Sequence, residues 1–200
     1  MSNFYSFFRE YSAELNKSLF NLEENELDNI TRVIEKTIKN KKNIFTCGNG
    51  GSASVSNHFL CDFNKGIKIS SKNKIKPKTI SLSNNIETIL AIGNDLSFDD
   101  IFKFQIDNYY SAGDLLITFS CSGTSKNIIN AIRFAKEKKI QTISFTGFAS
   151  KKIQKISDLN INVGIKNYGI CEDLFQSLMH MISQSIRLKY IKKNSQKIIL

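Results

Sequence analysis

Cys47-Gly48-Asn49-Gly50-Gly51-Ser52-Ala53-Ser54-Val55-Ser56-Asn57-His58-Phe59-Leu60-Cys61-Asp62 is the stretch whose reading decides the fold. The apolar run Asn43–Cys47 reads as a buried strand, Gly48–Ser52 as a glycine-rich turn, and residues 51–63 as a helix. Glycines at 48, 50 and 51 allow positive φ and close backbone approach, so the turn can expose several N–H groups to an anion. A strand-to-helix turn also places those groups at the positive end of a helix dipole, where phosphate binds. His58 and Asp62 are four residues apart on the helix and share a face. An imidazole and a carboxylate one turn apart can move protons or hold a metal. The pattern points to an enzyme acting on a phosphorylated small molecule. It is not a Walker A loop, because no Lys-Ser/Thr follows the glycines, and the dinucleotide fingerprint fails at Ala53.

Working outward, strands and helices alternate. Strands are expected at Thr79–Ser83, Asp114–Ser120, Gln141–Thr146 and Leu159–Val163, and helices at about 85–92, 98–110 (capped by Ser97), 125–138 and 171–193. Lys65–Lys78 reads as a basic loop closed by Pro77, and Gly93-Asn94-Asp95 as a turn. Alternation of this kind argues for a parallel sheet with helices on both faces, and ligands then bind outside the carboxyl ends of the strands. Two polar loops leave strand ends there. The second, Ser120-Cys121-Ser122-Gly123-Thr124-Ser125, holds four hydroxyls ahead of a helix N-terminus, which makes a compact phosphate cradle. Upstream, residues 4–20 and 26–40 carry apolar and aromatic residues at helical spacing and read as two packing helices, with a face wide enough to meet another subunit.

With 200 residues and 41% hydrophobic content, the chain suits a single domain. No apolar run reaches the roughly 18 residues of a membrane helix, and no signal peptide is read at the N-terminus, so a cytoplasmic protein without a membrane partner is expected. Cys47, Cys61, Cys121 and Cys171 form no C-x-x-C pair and read as free, buried thiols. The net charge of +10 reads as a solvated surface that draws in an anionic substrate. A nucleic-acid partner is not expected, since no aromatic–basic motif of the RNA-binding kind is present.

Taken together, C-G-N-G-G-S…H-F at 47–59, G-N-D at 93–95, S-x-S-G-x-S at 120–125 and a last helix carrying His180 resemble the sugar isomerase (SIS) domain family, and within it the phosphoheptose isomerases. The resemblance covers about residues 4–190. It implies a three-layer α/β/α fold with a central five-stranded parallel sheet and an N-terminal helical pair. Residues 1–200 then form one SIS domain, with 1–42 used in packing and oligomerisation and 43–193 as the α/β core. It implies a homotetramer with sites at subunit interfaces. The implied activity is aldose–ketose isomerisation of sedoheptulose 7-phosphate to D-glycero-D-manno-heptose 7-phosphate, for the heptose of lipopolysaccharide or capsule. The same shape also serves non-catalytic sugar-phosphate sensors and a replication-initiator-binding factor. A pure binding module has no need of the His58, Asp62 and His180 set.

Residue by residue, the resemblance places Asn49, Gly50, Gly51, Ser52, Asn94, Asp95, Ser120, Ser122, Ser125 and Glu172 at the substrate, and Asp62 and His180 as the acid/base pair. Some members bind zinc through a His, Glu, Gln, His set, which falls here on His58, Asp62, Glu172 and His180, so one divalent ion per subunit is implied. The chain departs from the family's pattern at three positions. Asp62 is one methylene shorter than the usual Glu, Glu172 replaces Gln, and Phe175 stands where a histidine is often found. Glu172 and His180 are eight residues apart, about 12 Å along a helix at about 1.5 Å per residue. One ion therefore needs Glu172 to begin beyond the regular helix, or needs a ligand from a neighbouring subunit, and an interface site is expected.

Overall fold

A computed structural model of the chain describes residues 3–148 and 151–191. Two helices, α1 (Phe4–Phe20) and α2 (Glu24–Lys39), precede the sheet. The α/β part then runs β1 (Asn43–Gly48), α3 (Gly51–Cys61), a π-helical turn at Asp62–Ile67, the short α4 (Lys68–Ser70), β2 (Lys78–Ser81) and α5 (Ile86–Ile92). A second π-helical turn at Gly93–Ser97 and a 3₁₀ turn at Phe98–Asp100 lead into α6 (Ile101–Tyr109). After them come β3 (Leu115–Ser120), α7 (Lys126–Glu137), β4 (Gln141–Thr146), α8 (Lys151–Ile156), β5 (Leu159–Asn162) and α9 (Tyr168–Leu188).

The five strands form one parallel sheet in the order β2-β1-β3-β4-β5. The chain winds outward from β1 in one direction to β2 and in the other through β3, so the switch point lies between β1 and β3. Gly48 pairs with Phe119 at the carboxyl ends of these two neighbours, and the glycine loop and the hydroxyl loop leave side by side. β3 is buried along its whole length, as a central parallel strand covered on both faces should be. One core lies between the sheet and α2, α3 and α9, around Ile34, Phe59, Phe119, Phe145 and Phe175. The other lies between the sheet and α6, α7 and α8, around Phe102, Ile106, Ile132 and Ile153. The three-layer α/β/α architecture follows from these two cores.

Several local expectations change. The start of the basic loop is helical, because Phe63 and Ile67 are drawn into the core. The Asn64 side chain also pairs with β2, donating to the Thr79 carbonyl at 2.8 Å and accepting the Thr79 N–H at 2.9 Å. The Gly93-Asn94-Asp95 turn belongs to a π-helical continuation of α5. α8, not foreseen, forms around the buried Ile153. The last helix starts at Tyr168, three residues early, and residues 192–193 of its expected span lie outside the described residues. Of the cysteines, Cys47, Cys121 and Cys171 are buried, whereas Cys61 is exposed at the end of α3. No residue of α1 is buried. Its inner face, Tyr11, Leu15 and Leu19, packs on the core, while Phe4 is 81% and Phe8 52% exposed.

Candidate active site

The two loops enclose a cavity of about 310 Å³, lined by Asn49, Gly50, Gly51 and Ser52 from the first and Ser120, Cys121, Ser122 and Ser125 from the second. Phe119 and, from α9, Tyr168 and Glu172 complete the wall. Gly50 has φ +56°, a left-handed conformation that favours glycine, and it starts α3 without a side-chain cap. Ser125 starts α7, also without a side-chain cap hydrogen bond. Two helix N-termini thus open on one cavity with their positive ends, the arrangement that suits a phosphate dianion. The hydroxyl loop is held in shape by its own serines. Ser120 Oγ accepts the Gly123 N–H at 3.2 Å, and Ser122 Oγ accepts the Thr124 N–H at 3.3 Å.

A buried side chain locks the two loops together. Asn127, on the first turn of α7 and 2% exposed, faces Asn49 in a reciprocal amide pair. Asn49 Nδ2 donates to Asn127 Oδ1 at 2.9 Å, and Asn127 Nδ2 donates to Asn49 Oδ1 at 3.0 Å. Asn127 Oδ1 also accepts the Ile128 N–H at 2.9 Å. On the α9 side, the Glu172 carboxylate lies where a Cβ on Gly51 would sit, so a side chain at position 51 would displace that carboxylate from the loop. Behind the wall, a hydrogen bond between the Cys121 and Cys171 thiols, with burial, pushes the Cys121 thiol up, and the same bond holds Cys171 low. Tyr11 of α1 donates to Asp173 Oδ2 at 2.6 Å, and burial together with this bond raises its phenol to about 12. That contact fastens α1 to the start of α9 beside the cavity.

Further along the same two helices lies a second cluster. His58 Nε2 is 3.5 Å from Asp62 Oδ1, His180 Nε2 is 3.8 Å from Asp62 Oδ2, and the two Nε2 atoms are 3.3 Å apart. Gln176, one turn before His180 on α9, places its amide 2.9 Å from His180 Nε2. Ser183 Oγ donates to Asp62 Oδ2 at 3.4 Å. Ligand atoms of His58, Asp62 and His180 all lie within 4.8 Å of one another. Two imidazole nitrogens on one tetrahedral zinc, each about 2.0–2.1 Å from it, stand about 3.3–3.4 Å apart, so the observed 3.3 Å fits a shared ion. Three protein donors with a fourth position open is the donor pattern of a catalytic zinc site.

A sequence profile of the SIS domain matches residues 7–147. The chain belongs to the SIS domain family. It is 32% identical over 160 residues to the phosphoheptose isomerase of Aliarcobacter butzleri, covering 80% of this chain and 83% of that one. With the phosphoheptose isomerase of Helicobacter pylori strain Shi470 the identity is 30% over 187 residues, covering 94% and 95%. Among solved structures, the phosphoheptose isomerase GmhA of Neisseria gonorrhoeae superposes with a TM-score of 0.80 at 26% identity, covering 90% of this chain and 95% of that one.

Within this SIS domain the fold brings together Asn49, Gly50, Gly51, Ser52, Ser120, Ser122, Ser125 and Glu172 in the cavity, and His58, Asp62 and His180 in the cluster. It does not bring every expected residue. Glu172 is the fifth residue of a regular α9, not a residue beyond it, and its side chain turns to Gly51 and Cys121 instead of the histidines. Asn94 and Asp95 stand exposed in the second π-helical turn, where Asn94 Nδ2 donates to Asp95 Oδ1 at 2.8 Å, away from the cavity wall. Phe175 is fully buried against Phe119 and Phe145, so that position serves the core. Three contributors were not foreseen: Asn127, Gln176 and Tyr168. Gln176 carried a signal, its position four residues before His180 on one helix face. Asn127 carried none, because its partner is 78 residues away.

Proposed function

We propose that this SIS protein isomerises sedoheptulose 7-phosphate to D-glycero-D-manno-heptose 7-phosphate, with the phosphate in the two-loop cavity and the carbonyl end at the His58, Asp62 and His180 cluster. The observation that carries the reading is that the same two helices serve both sites. Ser52 and His58 share α3, and Glu172 and His180 share α9, which at about 1.5 Å per residue separates cradle and cluster by about 9–12 Å. That span suits an extended seven-carbon sugar phosphate better than a shorter one. The backbone N–H groups of Gly50 and Gly51, with Ser52, Ser120, Ser122 and Ser125, hold the phosphate. Glu172 and the loop N–H groups orient the hydroxylated chain between, and Asn94 and Asp95 serve the site of a neighbouring subunit.

In the reaction Asp62 removes a proton from C1 of the ketose, exchanges it with solvent at the enediol stage and delivers a proton to C2, while His180 moves a proton from the C1 hydroxyl to the C2 oxygen. Ser183 holds the Asp62 carboxylate from behind. With zinc bound, His58, Asp62 and His180 would be its ligands and His180 Nε2 would not be free to relay the proton; without it, Asp62 and His180 act as the free acid/base pair, with the Gln176 amide beside His180. A divalent ion, when bound, polarises the carbonyl and hydroxyl oxygens. The exposed aromatic face of α1 supports a homotetramer, and four free thiols suit the reducing cytoplasm. The product serves the heptose of lipopolysaccharide or capsule.

The test is incubation with sedoheptulose 7-phosphate in D₂O, followed by NMR. Aldose product with deuterium at C2 is expected, abolished in Asp62→Asn and His180→Ala. A native protein that binds the sugar phosphate without turning it over sinks the enzyme reading in favour of a sensor.

A further inference from the structure

The net charge of this chain is not spread over its surface. Residues 36–42 carry four lysines (36, 39, 41 and 42) and residues 65–78 carry six (65, 68, 72, 74, 76 and 78), with no carboxylate in either segment. These ten account for the whole net charge of +10, since the rest of the chain holds 18 basic and 18 acidic residues. The fold joins the two segments. Lys39 and Lys41 follow one another out of α2, and Lys74, Lys76 and Lys78 lead into β2, around a groove of about 480 Å³ floored by Ile38 and Ile75. Asn73 completes the lining, and no acidic side chain belongs to it. Among the described residues, no carboxylate lies within ion-pair distance of any of these five lysines. The nearby Glu35 is engaged by Lys189 at 2.9 Å.

We propose that this groove is a second anion site, separate from the sugar-phosphate cavity, and that its ligand carries several adjacent phosphate groups. Its place supports the separation. The groove sits where β1 and β2 begin, whereas the cavity sits where β1 and β3 end, about 15–20 Å away along strands that rise about 3.3 Å per residue. Helix capping explains only part of the cluster. Lys36 and Lys39 lie in the last turn of α2 and complement its dipole, but Lys41, Lys74, Lys76 and Lys78 do not. Ammonium groups gathered within about one Debye length repel one another, and a polyanion between them removes that cost. Lysines act as flexible point charges for phosphate, and their apolar stems are suited to a groove that also contains isoleucine. The lining has no aromatic side chain for base stacking and no arginine fork, and the volume is that of a small-molecule site. These features favour a compact polyphosphate, free or carried by a nucleoside, over a nucleic-acid strand.

The experiment is calorimetric titration with tripolyphosphate and, in parallel, with ATP, both at low ionic strength. Saturable binding of one ligand per chain is expected, weakened at least about tenfold by the combined Lys39→Gln, Lys41→Gln, Lys74→Gln and Lys76→Gln replacement and by raised salt. That variant keeps native turnover of sedoheptulose 7-phosphate, while Ser122→Ala with Ser125→Ala keeps native tripolyphosphate binding, so the two sites fail independently. Tighter binding of ATP than of tripolyphosphate identifies a nucleotide as the source, and equal binding identifies the phosphate chain alone. Unchanged tripolyphosphate affinity in the lysine variant overturns the proposal, as does loss of that affinity in the serine variant. A short DNA duplex that outcompetes tripolyphosphate at equal phosphate concentration overturns the small-ligand assignment.

Discussion

Asn127 offers the sharpest test of how the cavity is built. Replacing it with alanine removes both bonds of the reciprocal amide pair with Asn49 and the acceptor of the Ile128 N–H. Each net hydrogen bond contributes about 0.5–1.5 kcal/mol, so the three together are worth about 2–4 kcal/mol. The upper half of that range applies if the Ile128 N–H is left unsatisfied, since a buried donor without a partner costs more than the bond it lost. In a chain of this size 1 kcal/mol shifts the melting temperature by about 2–4 °C, so Asn127→Ala should melt about 5–15 °C below the native protein. Asn49→Ala breaks the same pair from the other side and leaves the Asn127 amide buried with unmet donors. The two replacements share one interaction, so the double variant should cost about 1–2 kcal/mol less than the sum of the singles. Asn127 does not line the cavity, yet its loss frees the glycine loop from the hydroxyl loop, and KM for the sugar phosphate should rise in both single variants. Melting within a degree of native, or strictly additive costs in the double variant, would refute the lock.

Three further outcomes follow from the same geometry. Ser122→Ala with Ser125→Ala should weaken sugar-phosphate binding by about 1.5–3 kcal/mol per lost bond to a charged phosphate, and should lower the melting temperature only by the few degrees that the exposed Ser122 bonds to Thr124 contribute; titration with substrate checks it. Native protein should take up zinc stoichiometrically by elemental analysis, and His58→Ala and His180→Ala should each lose it; retention of zinc in His180→Ala would rule out the shared ion. Asp158 is partly desolvated, but Lys136 and the N–H and hydroxyl of Thr142 hold its carboxyl below the usual 3.8. Its contribution is therefore present above pH 3.8 and lost as pH falls through the lower folded value, so Asp158→Asn should flatten the acid limb of the stability curve.

The glycine loop followed by His58 and Asp62 on one helix face, and the hydroxyl-rich Ser120–Ser125, announce themselves in the sequence because their chemistry is local. Turn, cap and helix-face relations span only a few residues, and alternating strands and helices confine the result to a parallel sheet. What lay beyond the sequence was pairing across the chain. That β1 and β3 are neighbours, so that the two loops share one cavity, depends on sheet order. Whether Glu172 meets the histidines or the glycine loop depends on the rotation of α9 over α3, and the packing turns it to Gly51. Phe175 shows the same limit, since only the aromatic cluster around Phe119 and Phe145 reveals it as core. The amide lock of Asn49 and Asn127 and the ring of lysines around Ile38 and Ile75 each join segments tens of residues apart. Residue type and spacing record what a segment is able to do. Which segments meet is decided by burial of apolar surface in the whole fold, and no local pattern carries that information.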